Sequence, residues 1–139
     1  MSEINTFRLD QRGLERYFGR LEARVMETIW ELQTPSVQDV VDKLGKEANY
    51  KTIMTVMNRL AEKGFLERRK VSRAYQYSAI ESRPELEQRL SHELFSGVLS
   101  DFGPNVIAQF VDVVEASDKA RLVELAKLIE TKLDNELEE

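Results

Sequence analysis

The stretch that decides the fold is residues 49–79, which read NYKTIMTVMNRLAEKGFLERRKVSRAYQYSA. Four apolar residues recur in its first half at helical spacing: Ile53, Val56, Met57 and Leu60. One side of the predicted helix therefore faces a core, and the opposite side is polar. Asn49 is suited to cap the start of this helix, and Gly64 is suited to end it. The pattern predicts a helix over residues 50–63.

The second half of the stretch, residues 65–79, predicts a short β-hairpin. Apolar residues begin it, Tyr75 and Tyr77 stand two apart near its end, and basic residues crowd the middle. A helix with a polar outer face followed at once by a basic hairpin is the outline of a winged helix-turn-helix. In that fold the helix suits a major groove and the hairpin, or wing, suits the neighbouring phosphates.

Two further helices are predicted before this stretch. Apolar spacing indicates the first from about Arg20 to Leu32, and Pro35 then breaks the chain. Ser36 with Asp39 three residues later is a capping-box signal for the second helix, which ends near Gly45. Three helices with tight connections complete the helix-turn-helix order. We assign residues 18–80 to this winged helix-turn-helix domain.

The remaining chain, residues 81–139, predicts a helical dimerisation domain. A capping box at Ser82 and Glu85 opens the first of three helices. These helices carry more apolar surface than a segment of about 55 residues can bury by itself. The simplest way to bury the remaining surface is against a second copy of the chain. The alternative is that the segment folds back onto its own N-terminal domain. The predicted dimerisation residues are Leu94, Val98, Phe102, Ile107, Phe110, Leu122, Leu125 and Ile129.

Charge is distributed unevenly along the chain. The net charge is −5, yet the segment between residues 48 and 78 contains seven basic residues and only two acidic ones, Glu62 and Glu67. Screening over about 8–10 Å makes the local patch matter more than the total, so nucleic acid is a suitable partner for that patch. The acidic balance belongs to the residues after 79.

Several classes of protein are excluded or disfavoured. The chain has no cysteine, which excludes disulfides, thiolate metal sites and thiol redox sensing. No catalytic constellation, phosphate-cradling glycine loop or metal-ligand cluster is recognisable, so we expect neither an enzyme nor a cofactor nor a metal. The opening residues lack the order of a signal peptide and no apolar run is long enough to cross a bilayer. We expect a cytoplasmic protein without membrane insertion.

The predicted DNA-binding residues share the polar face of the helix or the basic hairpin. Cationic side chains suit phosphates and guanine edges, threonines suit phosphate or a thymine methyl, and Asn58 suits adenine. Residues 1–17 form a basic arm, read either as a solvated lead-in or as a segment reaching DNA beside the main site. The predicted DNA-binding set is Lys51, Thr52, Thr55, Asn58, Arg59, Arg68, Arg69, Lys70 and Arg73.

Three segments together resemble the penicillinase-repressor family, the BlaI/MecI/CopY group of bacterial transcriptional repressors. They are LEARVMETIWEL at 21–32, YKTIMTVMNRLAEKGFLERRK at 50–70 and RAYQYSA at 73–79. The pattern K-T-I-x-T-x-x-x-R-L, followed by K-G-x-L-x-R-x-K and R-x-Y-x-Y, carries the resemblance. It extends over roughly residues 18–137.

The resemblance implies a homodimeric repressor that binds a palindromic operator and leaves it on a signal. It implies that the helix carrying Lys51 and Arg59 is the recognition helix and that the basic hairpin is the wing. Antibiotic-responsive members are cut by a membrane sensor protease at an Asn-Phe bond. Gln109-Phe110 stands there in this chain, which argues against that partner. Copper-responsive members use C-terminal cysteines, which this chain lacks.

Two other functions stay open at the level of sequence. A winged helix can serve as a protein-interaction module, with the helical tail as an assembly platform. A repressor can also hold a small molecule in its C-terminal half, because apolar helices build pockets and interfaces from the same residues.

Overall fold

The computed structural model describes residues 4–46 and 48–138 and confirms a mostly helical fold with a small β wing. A single turn of 3₁₀ helix, Gly13–Arg16, precedes the first α-helix. The elements that follow, in chain order, are α1 (Arg20–Leu32), α2 (Val37–Leu44), α3 (Tyr50–Glu62), β1 (Leu66–Val71), β2 (Ala74–Ala79), α4 (Arg83–Phe102), α5 (Pro104–Ser117) and α6 (Lys119–Glu138).

The chain divides into two compact units, one extending to Leu90 and one from Ser91 onward. In the first unit, α1, α2 and α3 pack on one another and on the hairpin. Its core is mainly apolar: α1, α2 and α3 each contribute at least two buried side chains, and each strand of the hairpin contributes one. The largest fully buried side chains there are Tyr77, Met26, Ile29, Ile53, Met57, Leu60, Leu86 and Leu90.

This division lies later than the expected boundary between residues 80 and 81. The first two turns of α4 belong to the first unit because Leu86 and Leu90 are buried in its core. Polar contacts reinforce this placement: the Trp30 indole N–H donates to the Glu81 carbonyl at 3.0 Å, and Arg89 pairs with the Glu81 carboxylate at 2.9 Å. The expected boundary lies just before α4, and the structural boundary lies within that helix because Leu86 and Leu90 are buried in the core of the first unit.

The described part of the N-terminal arm also belongs to the first unit. Leu14 is buried in the core, and the Phe7 and Tyr17 rings meet edge to face. Arg8 donates to the Phe18 carbonyl at 2.7 Å. Arg16 donates to backbone carbonyls of the arm itself. Two of the arm's arginines therefore hold the arm in place; residues 1–3 lie outside the described residues.

Local signals place the ends of α2 and α3. The Asn49 side chain accepts from the backbone N–H groups of Lys51 and Thr52, at 2.9 and 3.2 Å, and so caps α3. Ser36 and Asp39 make both bonds of the predicted capping box. Gly64 follows α3 with φ of +88°, where glycine avoids the cost that a Cβ would impose.

Helix α1 ends in a strained turn at Gln33. This residue has φ of 73° and ψ of −64°, and the Thr34 N–H donates to the Leu32 carbonyl at 3.0 Å across it. These are the dihedrals of a γ-turn, a conformation that costs a residue with a Cβ. The Gln33 side chain is exposed, so little packing depends on it.

We therefore expect Gln33→Gly to raise the free energy of unfolding of the first unit by about 1 kcal/mol, by removing the strain at positive φ. Chemical denaturation followed by fluorescence of Trp30, the single tryptophan, measures this unit. Gln88→Gly is the control, since Gln88 is exposed within α4 and glycine there should cost about 0.5–1 kcal/mol. Equal destabilisation by Gln33→Gly and Gln88→Gly would show that the backbone at Gln33 is not strained.

The second unit consists of the rest of α4 with α5 and α6. Gly103 and Pro104 end α4, and Pro104 also opens α5, two residues before the predicted apolar stripe, because its fixed φ suits a first helical turn. Neither α5 nor α6 has a buried side chain. Within the described residues, no helix combines the length and apolar character that crossing a membrane demands.

Candidate nucleic-acid interface

The polar face of α3 is solvent-exposed, as its sequence predicts. Lys51, Thr52, Thr55 and Arg59 are exposed on it, while the apolar face is buried. The Thr55 hydroxyl donates to the Lys51 carbonyl one turn back at 2.9 Å. Its proton is therefore committed to the helix, and its methyl group is the part best suited to a base contact.

The wing, defined here as the hairpin β1–β2, presents basic side chains on both faces. Its register places Arg68 opposite Tyr77 and Arg69 opposite Gln76. Side chains alternate along a strand, so Arg68 shares a face with buried Leu66 and Arg69 points to the other side. A two-residue turn at Ser72 and Arg73 joins the strands, with Ser72 at φ of 60° as primed hairpin turns require.

Asn58 differs from the other predicted DNA-binding residues because it is half-buried, whereas the other eight are exposed. Its side-chain oxygen accepts a hydrogen bond from the Tyr77 hydroxyl at 2.6 Å and another from Arg68 Nη1 at 3.1 Å. The Arg68 guanidinium also lies over the Tyr75 ring, 4.9 Å from its centroid. The structure therefore brings Asn58 and Arg68 together at the junction of α3 and the wing.

Tyr77 is the buried member of this junction, with 2% of its surface exposed. Its burial raises the pKa of the hydroxyl, and the hydrogen bonding and positive charge of Arg68 oppose that rise. The hydroxyl is accordingly protonated near neutral pH and acts as the donor to Asn58. The backbone N–H of Tyr77 donates to the Pro35 carbonyl at 2.9 Å, which ties β2 to the start of α2.

Sequence reasoning missed the contribution of α2 to this surface. A recess of about 340 Å³ lies among α2, α3 and the wing, and Gln38 and Tyr50 line it together with Asn58, Arg68 and Arg73. Tyr50 is 48% exposed at the first position of α3. The signal was present in the tight connection between α2 and α3, but periodicity does not reveal which surface groups converge.

The predicted dimerisation residues fall into two groups. Half are largely exposed, with Phe102, Ile107, Phe110 and Ile129 between 47% and 63% accessible. The other half are partly buried within the chain: Leu94, Val98, Leu122 and Leu125. The same helices carry further exposed apolar side chains that were not among the predicted dimerisation residues. These are Phe95, Leu99, Val113, Val123, Leu128, Leu133 and Leu137.

A protein-family model described as "Penicillinase repressor" matches residues 18–131. Among curated proteins, the methicillin resistance regulatory protein MecI of Staphylococcus aureus is 24% identical over 98 residues, which cover 69% of this chain and 80% of that protein. MecI of Mammaliicoccus sciuri matches with the same identity and coverage. An uncharacterised 16.5 kDa protein of Latilactobacillus sakei is 26% identical over 113 residues, covering 80% of this chain and 77% of that protein.

Among solved structures, a MarR/EmrR family transcriptional regulator from Acinetobacter sp. ADP1 is similar to this chain with a TM-score of 0.44 and 24% identity. The similarity covers 88% of this chain and 82% of that one.

Proposed function

Because the chain belongs to the penicillinase repressor family of DNA-binding transcriptional repressors, we propose that it acts as a homodimer on a palindromic operator. The observation that best supports this proposal is the exposed basic surface formed by α3 and the wing in the first unit. A basic patch beside a polar helix face is the electrostatic footprint of a duplex-binding module.

In the proposed complex α3 lies in the major groove as the recognition helix. Lys51 and Arg59 contact phosphates or guanine edges, and Thr52 contacts phosphate. The Thr55 methyl group contacts a thymine methyl, since the hydroxyl proton is held by the Lys51 carbonyl. The contacts to bases among these would supply sequence discrimination, and those to phosphates would help to position the helix.

The wing supplies affinity that depends little on sequence. Arg69, Lys70 and Arg73 are exposed on it and would neutralise backbone phosphates, releasing counterions. Each such contact should add to the salt dependence of binding. The wing therefore positions the protein on the duplex while α3 reads the bases.

The uncovered apolar side chains of the second unit support dimerisation through that unit. Phe102 and Ile107 are 63% and 57% exposed, and an isolated chain rarely leaves so many large apolar groups in water. A two-fold pair would present two recognition helices to half-sites about 34–36 Å apart. Release by cleavage at Gln109-Phe110 is not part of the proposed mechanism, because the bond cut in the antibiotic-responsive members of the family is Asn-Phe.

We expect Thr55→Ala to lower the preference for a selected operator duplex over a random duplex by about 1 kcal/mol, roughly fivefold, because a thymine contact is lost. Titration of both duplexes by fluorescence anisotropy measures the preference.

Thr131→Ala is the matched control, since the Thr131 hydroxyl makes the same bond to a carbonyl one turn back, at 3.0 Å, in the second unit. It should leave the preference unchanged. Equal weakening on both duplexes by Thr55→Ala would remove Thr55 from base reading.

A further inference from the structure

Asn58 makes a contact that its position on the polar face of α3 does not require. Its side-chain oxygen has two acceptor sites, and the Tyr77 hydroxyl and Arg68 Nη1 occupy both, at 2.6 and 3.1 Å. The side chain is half-buried between the helix and the wing. Donors from the protein itself therefore occupy both acceptor sites of the Asn58 oxygen.

Adenine reading by Asn58 would compete with this contact. A bidentate pair needs the amide to offer its oxygen and its nitrogen side by side to the base edge. Turning the oxygen toward the groove would leave the hydroxyl of Tyr77, a 2% exposed residue, without its acceptor. That penalty is of the same order as the discrimination such a pair supplies, so the two largely cancel.

The two donors to Asn58 come from opposite strands of the wing. Arg68 lies on β1 and Tyr77 lies directly across from it on β2. The Asn58 oxygen on α3 therefore bonds to both strands of the hairpin, at two residues that lie directly opposite each other. The Arg68 guanidinium also lies 4.9 Å from the Tyr75 ring centroid, a cation–π contact that helps to hold it beside Asn58.

We propose that Asn58 is a positioning residue whose carbonyl oxygen fixes the wing against α3, and that Arg68 belongs to this contact. The consequence for DNA rests on the proposed function above. The angle of the wing decides where the exposed cations beyond the contact, Arg69, Lys70 and Arg73, meet the phosphates. A wing released from α3 has to be ordered again on binding, and affinity falls on every duplex.

Hydrogen exchange of the free full-length chain tests the contact without DNA. Asn58→Ala removes both bonds and should speed exchange of the wing amides, residues 68–77, by at least about fivefold, the factor for one net hydrogen bond. Amides of α1 should stay as in the wild type. Asn58→Asp keeps an acceptor oxygen for both donors and should restore wild-type exchange, which separates the contact from general destabilisation.

Tyr77→Phe provides a second route to the same contact. This substitution removes only the hydroxyl, at a residue too buried to touch DNA, and should also speed exchange in the wing. Tyr75→Phe is the matched control, since it removes a hydroxyl but keeps the ring that Arg68 covers. It should leave exchange of the wing amides unchanged. Wild-type exchange in both Asn58→Ala and Tyr77→Phe would overturn the proposal.

Binding measurements then test the consequence. Asn58→Ala should weaken binding to a selected operator and to a random duplex by the same factor, at least about fivefold. Tyr77→Phe should weaken both duplexes and add no further loss when combined with Asn58→Ala, because the contact is already gone. A loss confined to the operator would instead make Asn58 a base reader and overturn the proposal.

The proposed function and the positioning role of Asn58 can fail separately. If the wild-type chain binds neither duplex, the proposed function fails while the exchange measurements still decide the contact. If the wild type binds but the exchange of the wing is unaffected by Asn58→Ala and Tyr77→Phe, only the positioning role fails.

Discussion

Replacing Arg69, Lys70 and Arg73 together with alanine is expected to weaken binding to any duplex by about 100-fold per protomer at physiological salt. Each lost phosphate contact removes about 0.9 from the slope of log affinity against log salt, so three should reduce that slope by about 3 per protomer. The three side chains are exposed on the wing, and no core packing depends on them. Anisotropy titrations over a range of salt concentrations on either side of the physiological value measure both quantities.

A charge-matched control lies in the second unit. Lys119, Arg121 and Lys127 are exposed on α6, and their replacement with alanine removes the same charge from the chain. This control should leave the salt slope unchanged, because Debye screening confines the effect to charges near the phosphates. A similar loss from both triple variants would mean that net charge, and not the wing, governs binding.

Phe102→Asp combined with Ile129→Asp is expected to make the chain monomeric and to weaken operator binding by about 10²–10⁴-fold, because two linked modules bind with an effective concentration that separate modules lack. Both residues are about half to two-thirds exposed in the single chain, at 63% and 49%, so carboxylates there need not disturb the fold of one chain. Sedimentation equilibrium reports the oligomeric state, and anisotropy reports the affinity.

Leu9→Asp is the control for that pair. Leu9 is 83% exposed but lies in the first unit, so an added carboxylate there should leave the dimer intact. A double variant that stays dimeric would show that a different surface joins the chains. A double variant that is monomeric yet binds the operator with wild-type affinity would contradict binding as a pair.

Short-range patterns allowed α3 and the wing to be predicted from sequence. The Asn49 cap, the Ser36–Asp39 capping box and the apolar stripe of α3 each depend on a few neighbouring residues. The hairpin is similarly local, since its two strands are joined by a two-residue turn. Such features can be predicted because each depends only on neighbouring residues, and the tertiary packing agrees with these local preferences.

Long-range packing explains what the sequence did not reveal. Leu86 and Leu90 read as part of the C-terminal helices, yet they complete the core of the first unit. Asn58 reads as a base contact because it lies on the polar face of α3, and its two bonds to the wing depend on residues 10 and 19 positions away. Periodicity assigns a residue to a face but does not identify what meets that face.

The most direct test of the central claim is selection of duplexes from a randomised pool by the purified full-length chain, followed by light scattering of the recovered complex. We predict a two-fold symmetric consensus, with half-sites about one helical turn apart, and two protein chains on each duplex. An unenriched pool, or a complex holding one chain on an asymmetric site, would contradict the account.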